Sequence, residues 1–190
     1  MKAIVLSASP NEDGLTAACA QAAAEGLLAG GAEVEQVNLN KLDIGMCEAC
    51  DRGWGTCRKE HRCQVEDDFQ ALHERTCQAD ALVLVTPVYW WEMSESAKAF
   101  TDRLRRCEAI HKEESCLFDK PMIMVAAAGG SGKGTISCLA SMERFIQHVR
   151  ARTFDLIPVN RWTKEYKLLT IRAAGEALAK QLLTEKARNS

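Results

Sequence analysis

No stretch of the 190-residue sequence stays apolar for the roughly 20 residues that a membrane span needs. The N-terminal run Met1-Lys2-Ala3-Ile4-Val5-Leu6 breaks at Ser7-Ala8-Ser9-Pro10, too early for the apolar core of a signal peptide. A formal net charge of -2 gives no electrostatic case for nucleic acid or for an anionic membrane surface. Internal repeats, linkers and low-complexity segments are also lacking. These absences, with 47% apolar and 26% charged residues, predict one cytoplasmic globular domain over residues 1–190.

Cysteine is abundant instead. Of the nine, Cys19, Cys107 and Cys138 fall inside helical patterns, where a thiol packs as a small apolar group, and Cys77 and Cys116 are scattered. Cys47, Cys50, Cys57 and Cys63 crowd into one loop at about 42–65, spaced C-x2-C-x6-C-x5-C. In a reducing compartment such a group points to metal binding or redox work. Four thiolates suit a tetrahedral zinc or an iron–sulfur cluster, and free redox thiols are the bland alternative. His61 lies in the same loop. It and His73, His111 and His148 occupy loop or helix positions typical of solvated histidines, so none is assigned a catalytic role.

The apolar pattern predicts five strands, at 2–8, 33–39, 81–85, 122–127 and 154–159, the second alternating with one more exposed face, interleaved with helices at 15–28, 66–76, 94–110, 136–149 and within 164–185. Ser94 is the expected N-cap of its helix. This alternation is that of an α/β fold with a doubly wound five-stranded parallel sheet and helices on both faces. Ligands in such folds bind beyond the carboxyl ends of the strands. Three of those ends carry unusual loops: 9–16, 86–93 and 129–134.

In the first loop, Ser9 and Thr16 flank a glycine-containing turn before a helix, a place for a phosphate held by N–H groups and the helix dipole, or for an ordinary capping turn. The second, Thr86-Pro87-Val88-Tyr89-Trp90-Trp91, puts three aromatics in succession. They would line a flat cofactor, cover the core end or anchor a subunit contact. The third, Gly129-Gly130-Ser131-Gly132-Lys133-Gly134, is not a Walker loop, because Gly134 follows the lysine where Ser or Thr is required. It lacks the dinucleotide fingerprint as well, so its glycines are read as allowing backbone to approach a flat ligand.

With these loops the chain resembles the flavodoxin-like NAD(P)H-dependent FMN reductases, and within them the iron–sulfur flavoproteins. The resemblance rests on Thr86-Pro87-Val88-Tyr89-Trp90 with Met93-Ser94 and then Lys98, Phe100, Asp102 and Arg103; on Ser9-Pro10 with Gly14-x-Thr16; and on Cys63-x3-Asp67-Asp68. It implies a flavodoxin-like fold in which Ser9, Thr16 and the backbone around Ala17 hold the FMN phosphate. Pro87, Val88, Tyr89 and Trp90, with Met93, would contact the flavin ring, and Gly129 and Gly130 would close over it. Asn11 and Leu15 stand in the phosphate loop where the family usually has arginine and asparagine. The resemblance also implies a [4Fe–4S] cluster on Cys47, Cys50, Cys57 and Cys63, although the family's compact motif has two residues, not six, between its second and third cysteines. The expected function is an FMN-dependent oxidoreductase with NAD(P)H or ferredoxin as donor, acting as a homodimer or homotetramer. Two alternatives remain: a reductase without a cluster, and a flavodoxin-like electron carrier or redox sensor.

Overall fold

The computed structural model describes residues 1–189. Its main sheet has strand order β2-β1-β3-β5-β6, all parallel, with β1 Lys2–Ser7, β2 Glu33–Asn38, β3 Ala81–Tyr89, β5 Pro121–Ala128 and β6 Arg152–Asn160. The central strands are continuous apolar runs because both of their faces are covered, and all eight residues of β5 are buried. Side chains alternate across the sheet with a period of two. Ile4, Leu6, Leu82, Leu84, Met122 and Met124 enter one core, shared with Phe69, Phe100 and Phe145. Ala3, Val5, Val83, Val85, Ile123 and Val125 enter the other.

The first core is roofed by α3 (Phe69–Gln78), α4 (Glu95–Glu108) and α5 (Thr135–His148), the second by α1 (Leu15–Ala29) and α6 (Lys164–Asn189). Helices α1 and α6 approach so closely that a Cβ on Gly26 would stand 2.0 Å from the Arg172 carbonyl oxygen. The small residues of α1 are what allow that approach. Among the described residues no helix is long and apolar enough to cross a membrane.

The sequence reading misses a sixth strand. β3 does not stop at Val85; it runs to Tyr89 and turns back as β4 (Glu92–Met93), with Val88 paired to Met93 and Tyr89 to Glu92 in antiparallel register. The two-residue connection is Trp90-Trp91, at φ 49° and 67°. Proline in β3 and two tryptophans in a turn conceal a hairpin usually signalled by Asn-Gly. The cysteine loop is also more ordered than expected, containing a short helix, α2 (Cys57–Glu60), and a 3-10 turn at Asp51–Gly53.

Candidate functional site

The order β2-β1-β3-β5-β6 makes β1, β3 and β5 neighbours, so the loops after them share one edge of the sheet. Hydrogen bonds tie two of those strand ends to α4. Ser94 Oγ donates to the Ala8 carbonyl at 3.0 Å, and Ser94 N donates to Thr86 Oγ1 at 3.0 Å. Ser94 also caps α4, accepting from Ala97 N, as its position predicts. Thr86 is fully buried, so these bonds lock the base of the aromatic hairpin to the end of β1.

Helix α1 begins at Gly14 without a side-chain cap and without an acidic residue in its first turn. Its first N–H groups and its dipole therefore face outward uncompensated. Ser9 and Thr16 are both buried beside them, and Ser9 Oγ accepts from Asn11 N at 3.2 Å, leaving the hydroxyl proton available. Asn11 and Ala17 line a cavity of about 580 Å³ that extends toward β2 and includes Lys41. Sequence order gave no sign of that lysine, which pairs with Glu12.

The aromatic hairpin faces the loop after β5. Val88, Trp90 and Trp91 line a cavity of about 130 Å³ with Ser131 and Lys133. Gly134, at φ 83°, packs so that a Cβ there would lie 3.0 Å from the Trp91 ring. Gly129 and Gly130 instead have nothing within 4 Å of where a Cβ would stand, so open space adjoins them. Trp90 is 90% exposed. Holding two bulky residues in the left-handed region costs of order 1 kcal/mol or more each, a strain that clusters at functional sites. An uncapped helix, buried hydroxyls and open space beside strained aromatics fit a ligand with an anionic tail and a flat ring. Pro87 and Tyr89 stand on the same strand end, Met93 beneath it in β4, and Leu15 in the first turn of α1.

The four loop cysteines are brought together on the α4 side of the sheet. Cys47, Cys50, Cys57 and Cys63 line one small pocket, of about 20 Å³, with Arg103, Arg106 and Cys107. Desolvation, together with the neighbouring Cys63, Glu48 and Cys47, raises the Cys50 thiol pKa. The loop is pinned by Arg103, whose side chain is buried: it forms a bidentate pair with Asp67, donates to the Gly45 carbonyl at 3.1 Å and donates to Cys63 Sγ at 3.2 Å. Burial pushes the Asp67 carboxyl pKa up, but hydrogen bonds from Arg103, Phe69 N and Gly45 N outweigh it and hold the pKa below the usual carboxylate value. A guanidinium donating to one thiol suits an anionic metal–thiolate centre, but among the described residues no three of the four loop sulfurs all lie within 4.8 Å of one another.

Two features correct the sequence reading. Cys77 and Cys116, 39 positions apart, are joined in a disulfide that no local spacing announces. His73 is not solvated; it is 3% exposed, with Nε2 2.7 Å from Glu108 Oε1. Cys19, Cys107 and Cys138 are buried as expected, and burial pushes the thiol pKa values of Cys19 and Cys138 up to about 12.

Residues 1–158 match the family described as NADPH-dependent FMN reductase. An iron–sulfur flavoprotein of Archaeoglobus fulgidus is 33% identical over 104 residues, which is 55% of this chain and 46% of that protein. Another from Methanocaldococcus jannaschii is 30% identical over 105 residues, 55% of this chain and 52% of its own. These matches span about half the length of each relative. Among solved structures, the NAD(P)H:quinone oxidoreductase from Methanothermobacter marburgensis superposes with a TM-score of 0.72 at 21% identity, covering 94% of this chain and 96% of its own. An archaeal flavodoxin superposes at 0.64 with 15% identity over 95% and 98% of the two chains. The fold is flavodoxin-like.

Proposed function

Because the chain belongs to the NADPH-dependent FMN reductase family, we propose that it is a flavin-dependent oxidoreductase that holds FMN across the ends of β1, β3 and β5. The observation that carries this reading is the uncapped N-terminus of α1, flanked by the buried Ser9 and Thr16, on the same sheet edge as the strained Trp90-Trp91 turn. Ser9, Thr16 and the N–H groups from Leu15 to Ala17 hold the phosphate by dipoles, and Asn11 shapes the turn. Pro87, Val88, Tyr89 and Trp90 flank the ring from β3, with Met93 below, while Gly129 and Gly130 leave room on the opposite side. Bound FMN supplies hydride acceptance and one-electron transfer, and the protein supplies its position and a dry floor. NAD(P)H is the proposed donor, with a ferredoxin-type carrier as the alternative.

We further propose that Cys47, Cys50, Cys57 and Cys63 hold a [4Fe–4S] cluster that exchanges electrons with the flavin. Arg103 supports this by donating a hydrogen bond to Cys63 Sγ, and the relatives known as iron–sulfur flavoproteins support it by analogy. A reductase without a cluster is the second reading, favoured by the narrow pocket between the thiols. The exposed Trp90 and half-exposed Trp91 are proposed as anchors of a homodimer or homotetramer.

Protein prepared without oxygen tests these readings in one series. FMN should bind in fluorescence titration, and NADPH should be consumed steadily with an added quinone. Failure to bind FMN overturns the flavin site. Binding without turnover indicates an electron carrier. Bound flavin without iron or acid-labile sulfide leaves the cluster-free reductase. Sedimentation as a monomer at micromolar concentration removes the oligomer.

A further inference from the structure

Apart from the loop cysteines, ionisable groups meet at a second place, around a cavity of about 420 Å³ lined by His61, His73, Glu74, Cys77, Glu108 and Cys116, among others. One ring nitrogen of His73, one carboxylate oxygen of Glu108 and the sulfurs of Cys77 and Cys116 all lie within 4.8 Å of one another. His73 and Cys77 share a face of α3 because they are four residues apart. Glu108 ends α4, and Cys116 lies just beyond it in sequence.

The hydrogen bonds assign a role to each group. Glu108 is held from both sides: Oε2 accepts from Ser115 Oγ at 2.7 Å and from Cys116 N at 3.0 Å, while Oε1 lies 2.7 Å from His73 Nε2. That contact occupies Nε2, while Nδ1 is buried with no hydrogen-bond partner. A buried ring nitrogen that nothing satisfies is costly in a site with no further use. A carboxylate holding an imidazole beside two cysteine sulfurs is the arrangement by which proteins orient a histidine toward zinc.

We propose that Cys77, Cys116 and His73 Nδ1 form a thiolate–imidazole site for a zinc-class divalent cation, closed by the Cys77–Cys116 disulfide and opened by a dithiol reductant, with Glu108 as the positioning residue. Reduction breaks the S–S bond. The dithiol gives two electrons and two protons, becoming a disulfide itself, and leaves two thiols. Cation binding then forms two sulfur–metal bonds and releases those two protons. The remaining coordination position belongs to water from the cavity, as in open three-ligand zinc sites. Cys77 and Cys116 are half-buried, within reach of a reductant. The site is independent of the flavin and cluster readings.

The test uses the full chain with Cys47, Cys50, Cys57 and Cys63 replaced by serine, so that loop thiols take up no metal. After reduction with dithiothreitol and anaerobic desalting, cobalt(II) should bind at one ion per chain with a sulfur-to-cobalt charge-transfer band, and zinc should displace it. The unreduced protein should take up none. Cys77→Ser or Cys116→Ser should abolish the band, and Glu108→Gln should weaken binding about tenfold to a hundredfold. No uptake after reduction, equal uptake before and after, or retention of the band in Cys77→Ser each overturns the proposal. Unsubstituted protein guards against misfolded variants. After air exposure, Cys77 and Cys116 should resist alkylation until reduced, and then be protected by zinc in peptide mapping. Free thiols at both positions before reduction, or equal alkylation with and without zinc, also overturns it.

Discussion

At the ends of β1, β3 and β5 the polar groups are mainly main-chain donors and hydroxyls, the aromatic side chains are exposed, and two tryptophans sit in left-handed backbone. On the flank formed by the cysteine loop, α3 and α4, the polar groups are ionised side chains that already have partners. Arg103 pairs with Asp67, and Glu108 is held by His73, Ser115 and Cys116. The first region is left incomplete by its own chain, as suits a cofactor held by backbone dipoles. The second is held together by pairs of its own charged groups, with His73 Nδ1 and Arg103 Nε left over, and bears on how the thiols are presented. Substitution in the second region should therefore register as lost stability, and in the first as lost affinity with the fold intact.

The sharpest break in that contrast is Arg103→Ala. It leaves the Asp67 carboxylate buried without its guanidinium and removes the pins on Gly45 and Cys63. Losing one partner of a buried pair costs about 3–5 kcal/mol. Urea denaturation should show a loss of that order, together with faster alkylation of Cys63. A loss below about 1 kcal/mol, the size of a surface pair, would mean that the loop is held by something else. Acid should act in the same direction. Because the Asp67 pKa is lowered on folding, its contribution is present above the usual carboxylate pKa and is lost as pH falls through the lowered value.

On the other side of the comparison, Thr16→Val removes a buried hydroxyl next to the helix N-terminus. A hydrogen bond to a charged group contributes about 1.5–3 kcal/mol, so FMN affinity should fall roughly tenfold to a hundredfold. The urea midpoint should hardly move. Unchanged FMN affinity would take the phosphate away from this turn.

How much of each region the sequence carried follows from the same division. Buried strands announce themselves as apolar runs, and loops at three neighbouring strand ends follow from the alternation of strands and helices. Ser9, Thr16 and the aromatic run were therefore legible by position. Cys47, Cys50, Cys57 and Cys63 were legible because they are close in sequence. What stayed hidden depends on contacts between distant segments. The Cys77–Cys116 bond, the His73–Glu108 pair and Lys41 at the cavity between α1 and β2 join residues with no local pattern. The β3–β4 hairpin was concealed for a different reason: tryptophan in left-handed backbone is something turn chemistry argues against.

Lys120 offers a finer test of the flank. Its ammonium donates to the Thr76 and Cys77 carbonyls, and burial pulls its pKa down to about 8, against the opposing pull of Asp80 and Glu108. With the folded value below the unfolded one, the unfolded chain binds more protons between them, so this group's contribution to stability rises with pH from about 8. Relative to Lys120→Met, the native protein should gain stability from pH 8 to pH 10, by at most ~1.4 kcal/mol per pH unit. A flat difference would mean that the lysine titrates normally.

The smallest expected effect carries the opposite sign. Trp90 is 90% exposed and lies at φ 49°, so replacing it with glycine removes little packing and relieves a left-handed conformation. Glycine's greater freedom in the unfolded chain offsets part of the gain. Trp90→Gly should therefore leave the fold equally stable or more stable, by up to about 1 kcal/mol, measured as the urea midpoint. FMN affinity, the oligomeric state in sedimentation, or both should weaken in the same variant. A residue whose removal helps the fold and harms the assembly is retained for the assembly. If Trp90→Gly instead destabilises the monomer, the tryptophan belongs to the fold, and the strained turn ceases to distinguish this edge of the sheet from the ion-paired flank.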